Sequence, residues 1–165
     1  MPDRVVCDDD RAGIVHTEDT DGAGGYEAID GGAAYRISKV KLSFDYEYDK
    51  NSSSYTASGA AGQVKRYSLY NLAMSYYPTP ASRVVAGVTK LVNTSDNLPE
   101  SQNTYIYSVA AYYSLSKRTT LYADFAQLKN RGGSALSLGG ALYTGSIAAP
   151  NATSRTFQVG VKTYF

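Results

Sequence analysis

Few residues in this chain are suited to covalent or metal chemistry. The sequence contains one cysteine and one histidine, Cys7 and His16. Nucleophilic catalysis requires a histidine beside a serine or cysteine, with an acid to orient it, and a metal site requires several ligating side chains together. Cys7 and His16 form with Asp8, Asp9 and Asp10 only a weak metal-ligand set, and a solvated acidic segment is the favoured interpretation. The sequence therefore predicts no enzyme, no metal site and no cofactor.

The remaining chemistry is ionic, and it is carried by charged residues at alternate positions. In SKVKLSFDYEYDK, residues 38–50, apolar side chains alternate with Lys41, Asp45 and Glu47. Because side chains of a β-strand point to opposite faces with period two, this segment predicts a strand with one apolar and one hydrated face. Taken alone, the pattern also fits a half-exposed strand of a soluble antiparallel sheet.

The same alternation assigns faces to charged residues further along the chain. Asp124 and Lys162 alternate with apolar neighbours and are predicted on the hydrated face, and Arg118 is predicted at the turn before Asp124. An internal repeat with an offset of 36 residues aligns Lys90 with Ala126, which predicts Lys90 on the hydrated face as well. The full candidate set is Lys41, Asp45, Glu47, Lys90, Arg118, Asp124 and Lys162.

The elements that position these residues are predicted to be hairpins joined by connections of two lengths. The predicted strands are 24–37, 39–49, 63–77, 82–93, 103–115, 119–129 and 153–165. Short turns at 37–39, 78–82 and 114–118 alternate with long polar loops at 50–62, 93–103 and 130–152. This alternation places the short turns at one end of the strands and the long loops at the other. Such segregation is typical of an up-and-down barrel that crosses a membrane, and not of a Greek-key sandwich.

Composition and charge narrow the class of protein. The 165 residues, with 16 tyrosines and 15 glycines, suit a single β-rich domain. No apolar run is long enough for a transmembrane helix. Residues 1–23 are predicted to be an acidic leader that is disordered or non-native, and residues 24–165 are predicted to be the β-barrel segment. Basic residues outnumber acidic ones after the leader, but they are spread singly through the strands, which argues against nucleic-acid binding.

The last strand carries a more specific signal. In TFQVGVKTYF, residues 156–165, the apolar residues Phe157, Val159 and Val161 alternate towards a terminal Phe165. This pattern resembles the signal by which outer-membrane barrels are recognised for assembly. Together with the hairpin YYSLSKRTTLYADFAQLKN, residues 112–130, it resembles the C-terminal half of Gram-negative general diffusion porins, the trimeric sixteen-stranded type of Neisseria-like and Burkholderia-like organisms.

This resemblance implies a fold, a location and a function. The fold would be an all-β, antiparallel up-and-down meander from a transmembrane outer-membrane β-barrel, with seven or eight strands of a larger barrel in this chain. The charged set would line a water-filled pore for passive diffusion of small hydrophilic solutes and ions. Independently of the resemblance, the excess of basic residues after the leader predicts a mild preference for anions. The implied partners are outer-membrane lipid and lipopolysaccharide, the barrel assembly machinery, and identical chains in a homotrimer.

An alternative architecture remains open. The chain is also long enough for a small closed barrel if residues 1–23 supply an eighth strand, although RVVC, residues 4–7, is a poor strand candidate. Side chains would fill most of the interior of an eight-stranded barrel and leave no diffusion pore. Such a barrel would have a structural or surface-binding role through its long loops, especially 130–152.

Overall fold

The chain folds as one antiparallel β-sheet. The computed structural model describes residues 11–20, 26–51, 65–95, 98, 101–138 and 149–164. Within these residues, eight strands follow one another across the sheet in chain order, each hydrogen-bonded to the next. They are β1 (Arg11–Thr20), β2 (Tyr26–Ile37), β3 (Val40–Asn51), β4 (Lys65–Thr79), β5 (Ser82–Asn93), β6 (Gln102–Ser114), β7 (Thr119–Arg131) and β8 (Thr153–Thr163). The prediction of an all-β, up-and-down meander is confirmed.

Strands β2 to β8 correspond to the seven predicted strands, and their ends agree with the prediction to within two residues. The agreement arises because each strand has an alternating pattern bounded by turn residues. The segregation of short turns from long loops is confirmed as well. Among the described residues, β1 and β8 do not pair with each other, so the sheet has two open edges.

Strand β1 corrects the prediction of a disordered leader at 1–23. It lies inside that segment and pairs with β2 along its whole length, from Arg11 opposite Tyr35 to Thr20 opposite Tyr26. Pairing of this kind is made by backbone N–H and C=O groups, so the acidic composition of the segment did not reveal it. The RVVC segment lies outside the described residues.

The two faces of the sheet differ in character. We define the apolar face as the even-numbered residues of β3, β4 and β5 and the odd-numbered residues of β2, β6, β7 and β8, which the pairing places side by side. Of the 21 exposed large hydrophobic side chains among the described residues, 17 lie on this face. Phe157, Val159 and Val161 are between 61% and 68% exposed. A surface of this kind requires apolar surroundings. The opposite surface is the polar face.

Tyrosines border the aliphatic centre of the apolar face. On β4, Tyr76 and Tyr70 enclose Leu72 and Met74. The two tyrosines are six residues apart, which corresponds to about 20 Å along a strand. Tyr113 and Tyr107 have the same spacing on β6.

The turn end of the sheet is formed by three tight connections. Ser38 and Lys39 join β2 to β3 in a two-residue hairpin, in which Ser38 has a φ of 55°. At the β4–β5 turn, the hydroxyl groups of Thr79 and Ser82 are 2.7 Å apart. Residues 115–118 join β6 to β7. The three turns fix the register of each hairpin, and therefore the face on which every side chain lies.

Candidate functional site on the polar face

Two pairs of charged residues on the polar face of β2 and β3 consist of residues of the same sign. In the pairing of β2 with β3, Lys41 is opposite Arg36 and Glu47 is opposite Asp30. Like charges directly opposite on neighbouring strands destabilise a sheet, and water weakens that repulsion most effectively. The basic pair lies towards the turn end and the acidic pair towards the loop end. On β2 and β3 the charges are therefore separated by sign, whereas Asp124 on β7 lies in the same row as the basic pair. The like-charged pairs require hydration.

Asp45 lies between these two pairs and is held by hydrogen bonds across three strands. Asn71 Nδ2 donates to Asp45 Oδ2 at 3.0 Å, and Thr89 Oγ1 donates to Asn71 Oδ1 at 3.0 Å. On the other side of Asp45 is Gly32, where a Cβ atom would come 2.6 Å from Asp45 Oδ1. Glycine at position 32 thus provides the space that the carboxylate occupies.

Basic groups near the turn end of the polar face lie over tyrosine rings. Arg36 Cζ is 4.6 Å from the ring centre of Tyr77, and Arg83 Cζ is 4.5 Å from that of Tyr112. A cation in this position is attracted to the face of the ring. The ring also limits the movement of the side chain, so the basic groups are held close to the wall of the sheet.

Sequence reasoning missed Arg36 and Arg83. A signal was present for Arg36, which lies between Tyr35 and Ile37. Arg83 is followed by two valines, so alternation alone did not assign its face. No sequence pattern indicated that Tyr77 and Tyr112 would be the partners of these arginines. The contact between Arg36 and Tyr77 joins residues on strands that are not neighbours in the sheet, and it depends on the register of β2, β3 and β4.

Asp124 and Lys162 lie on the polar face of β7 and β8. Lys162 Nζ is 5.0 Å from the ring centre of Tyr164, which follows β8. Arg118 is exposed in the turn before β7, and its carbonyl oxygen accepts a hydrogen bond from the backbone N–H of Tyr164 at 3.0 Å. Of the predicted set, the structure thus brings Lys41, Asp45, Glu47, Asp124 and Lys162 onto one face, with Arg118 at its border.

Lys90 lies on the apolar face, and its predicted position was wrong. It pairs with Tyr70 on β4 and Tyr105 on β6. The residue of β7 in the same row is Lys129, which is 39 residues after Lys90. The repeat alignment used an offset of 36, and an odd difference of three residues moves a side chain to the other face of a strand.

A buried polar cluster lies at the loop end of the polar face. Asn130 Oδ1 accepts hydrogen bonds from Thr104 Oγ1 at 2.9 Å and from Ser134 Oγ at 3.0 Å. Asn130 Nδ2 donates to the carbonyl oxygens of Leu136 at 2.8 Å and Ala152 at 3.1 Å. Asn130 therefore joins the start and the end of the β7–β8 loop to the wall of the sheet. Sequence reasoning missed this cluster, because its members are brought together only by the loop.

Replacing Asn130 by alanine is expected to lower the free energy of unfolding by about 1–3 kcal/mol, because the buried hydroxyl groups of Thr104 and Ser134 lose a partner. Urea unfolding of the folded protein measures the loss. The matched control is Asn103→Ala, since Asn103 makes one exposed hydrogen bond of 3.3 Å to Ser101. An equal effect of the two substitutions would contradict the role of the cluster.

The structure describes three of the four residues of the predicted assembly signal. Phe157, Val159 and Val161 point to the apolar face of β8, which is an edge strand. Phe165 lies outside the described residues. Recognition of these residues during assembly stays a prediction.

The described residues contain no group of three or more His, Cys, Asp or Glu side chains suited to hold a metal ion. His16 lies in β1, whereas Cys7, Asp8, Asp9 and Asp10 are outside the described part of the chain. No helix within the described residues is both long enough and apolar enough to cross a membrane.

A meander of long antiparallel strands with one apolar and one charged face, and with loops segregated by length, is the architecture of transmembrane β-barrel proteins of outer membranes. The family model of the Gram-negative porins matches residues 10–133, and the chain belongs to this family. The match confirms the resemblance found in the sequence, and it includes β1. No curated protein matches the chain.

Proposed function

We propose that this chain forms part of the wall of a water-filled pore in the bacterial outer membrane, through which small hydrophilic solutes and ions diffuse passively. The observation that carries the proposal is the pairing of like charges on the polar face, which lies opposite the exposed apolar face. Arg36 pairs with Lys41, and Asp30 pairs with Glu47. The apolar face suits lipid, and the polar face suits bulk water. Membership of the porin family supports the same assignment.

The distribution of charge supports weak ion selectivity rather than the anion preference expected from the excess of basic residues. In β2 to β8, strand parity assigns four basic and five acidic residues among the described side chains to the polar face. The basic residues are Arg36, Lys41, Arg83 and Lys162, and the acidic residues are Asp30, Asp45, Glu47, Asp49 and Asp124. Most of the remaining bases lie at the loop end of the apolar face or in turns. A pore wall with nearly equal numbers of basic and acidic residues favours neither anions nor cations strongly.

The assignment of the polar face to the pore is tested by placing a large side chain on one face of the sheet at a time. Ser108 lies on the polar face in a row of small residues that includes Gly87 and Ala126. Ser108→Trp is expected to lower single-channel conductance in planar bilayers, because the indole ring fills part of the lumen. The matched control is Val109→Trp, one residue further on, which places the same ring on the apolar face.

Equal conductance of the two variants would contradict the assignment of the polar face to the lumen. If no conductance is obtained from any assembly that contains this chain, the proposal fails and the surface-binding barrel replaces it. In that barrel the long loops would act outside the cell, and the chain would have no transport activity.

A further inference from the structure

A cavity of about 330 Å³ opens on the polar face at the turn end of the sheet, and we call it the turn-end cavity. It lies between the β4–β5 turn and the adjoining ends of β6, β7 and β8. Ser114 N–H donates to the carbonyl oxygen of Ala81 at 2.8 Å, which holds that turn against β6. The basic and aromatic residues that line the cavity are Arg83, Lys162, Tyr77, Tyr112 and Tyr164. Its volume is in the range of small-molecule sites.

The two bases of the turn-end cavity have no acidic neighbour in it. No carboxylate side chain among the described residues lines the cavity. Asp124 on β7 is four residues from Thr120, the partner of Lys162, which corresponds to about 14 Å along the strands. The contact of Arg83 with the ring of Tyr112 uses the flat face of the guanidinium group. Its N–H donors lie in the plane of the group and are therefore available to bind a carboxylate.

Hydroxyl groups lie beside the bases. Ser114 and Thr120 line the turn-end cavity, and their hydroxyl oxygens are 3.5 Å apart. Thr120 pairs with Ser114 on one side and with Lys162 on the other. A hydroxyl group can donate a hydrogen bond to an anionic oxygen. The cavity thus offers both positive charge and neutral donors to an anion.

Tyrosine rings supply the remaining wall of the turn-end cavity. Arg36 lies over the ring of Tyr77 but does not line the cavity, so this cation is not between Tyr77 and a bound solute. The ring of Tyr122 lies over Gly160, where a Cβ atom would be 2.6 Å from Tyr122 Cζ. Glycine at position 160 thus provides space for Tyr122 outside the cavity. Aromatic rings pack favourably against one another in stacked or edge-to-face arrangements, so this wall favours an aromatic solute.

We propose that the turn-end cavity binds small aromatic carboxylates. Arg83 would bind the carboxylate through its N–H groups, Lys162 would add a second positive charge, and the aromatic ring would pack against Tyr77 and Tyr112. This proposal rests on the proposed function for the route by which the solute arrives, and it names one class of solute that the pore would favour. A weak site in the lumen favours the entry of one class of solute and still allows its release.

The test measures binding of 4-fluorobenzoate to the purified full chain in a neutral detergent, by fluorine NMR titration. Wild-type protein is expected to broaden the resonance saturably. Arg83→Gln is expected to weaken binding at least tenfold, because a hydrogen-bonded charge pair is lost. Binding of 4-fluorobenzamide, which has the same ring without the charge, should show a similar loss. The matched control is Lys117→Gln, outside the cavity in the β6–β7 turn, which should bind as wild type.

A competition experiment tests the aromatic part of the site. Cyclohexanecarboxylate has the charge of benzoate but no aromatic ring. It is expected to displace 4-fluorobenzoate about two- to tenfold less effectively than benzoate does. Tyr112→Leu should remove most of this difference, because the leucine side chain cannot stack with the ring of the solute.

Several results would overturn this site. They are equal binding of 4-fluorobenzoate and 4-fluorobenzamide, an equal loss in Lys117→Gln, or equal competition by cyclohexanecarboxylate and benzoate. If Arg83→Gln does not fold, Arg83→Lys keeps the charge without the paired N–H donors and is expected to bind several times more weakly. Unchanged binding by Arg83→Lys would then contradict the role of Arg83. Conductance recorded on the same preparation separates the two proposals: conductance without saturable binding contradicts only the site, and binding without conductance contradicts only the pore.

Discussion

Replacing Phe44 by lysine is expected to destabilise the folded protein in a lipid bilayer by about 2–4 kcal/mol. Phe44 lies in the aliphatic centre of the apolar face, opposite Leu72, and its side chain is 46% exposed. A lysine at this position would place a charge in hydrocarbon. A denaturant titration that monitors reversible unfolding of the protein in lipid vesicles measures the change in the free energy of unfolding.

The control for Phe44→Lys is a charge change only three residues away. Lys41 lies on the polar face opposite Arg36. Lys41→Glu replaces a like-charge pair with an opposite-charge pair, which is worth about 0.2–1 kcal/mol in a sheet, so this variant should be as stable as wild type or slightly more stable. If Lys41→Glu destabilised the protein as much as Phe44→Lys, the assignment of the two faces to lipid and water would be wrong.

Reversing the charge of Lys41 and Lys162 together is expected to shift the reversal potential of the pore towards cations. Both residues lie on the polar face towards its turn end. Among the described side chains, the polar face of β2 to β8 carries four bases and five acids by strand parity, so two substitutions to glutamate leave two bases against seven acids. Planar-bilayer recordings in a tenfold salt gradient measure the shift, for which the limit of a perfectly selective pore is about 59 mV.

The control for the selectivity change is the double variant Lys39→Glu, Lys117→Glu. These lysines lie in the β2–β3 and β6–β7 turns, so the variant makes the same change in net charge outside the polar face. Its reversal potential should shift much less. Equal shifts in the two double variants would show that selectivity depends on overall charge near the mouth, and not on the polar face. Insertion should be normal in both, because neither changes the apolar face.

Most of the strand order was predictable from the sequence. The alternation in segments such as 38–50 depends only on the period-two geometry of a strand, and the turn residues mark where each strand ends. For the same reason, Lys41, Asp45 and Glu47 could be placed on one face from a single strand. The long polar loops were equally visible. A local pattern was sufficient in each case, because each property belongs to one short stretch of chain.

Properties that depend on pairing between strands could not be obtained in this way. Lys90 was placed on the wrong face because an internal repeat does not report the register of β5 against β7. Strand β1 was missed because its pairing uses backbone groups, which its acidic side chains do not reveal.

The tertiary structure also decided which polar groups act together. Asn130 meets Ser134 and Leu136 only because the β7–β8 loop returns to the sheet, and Lys90 meets Arg131 only at the ring of Tyr105. The sequence by itself determined the strands and, from local parity, most of their faces. The register of the sheet decided which charges are neighbours, because hydrogen bonding between strands brings together residues that are distant in the chain.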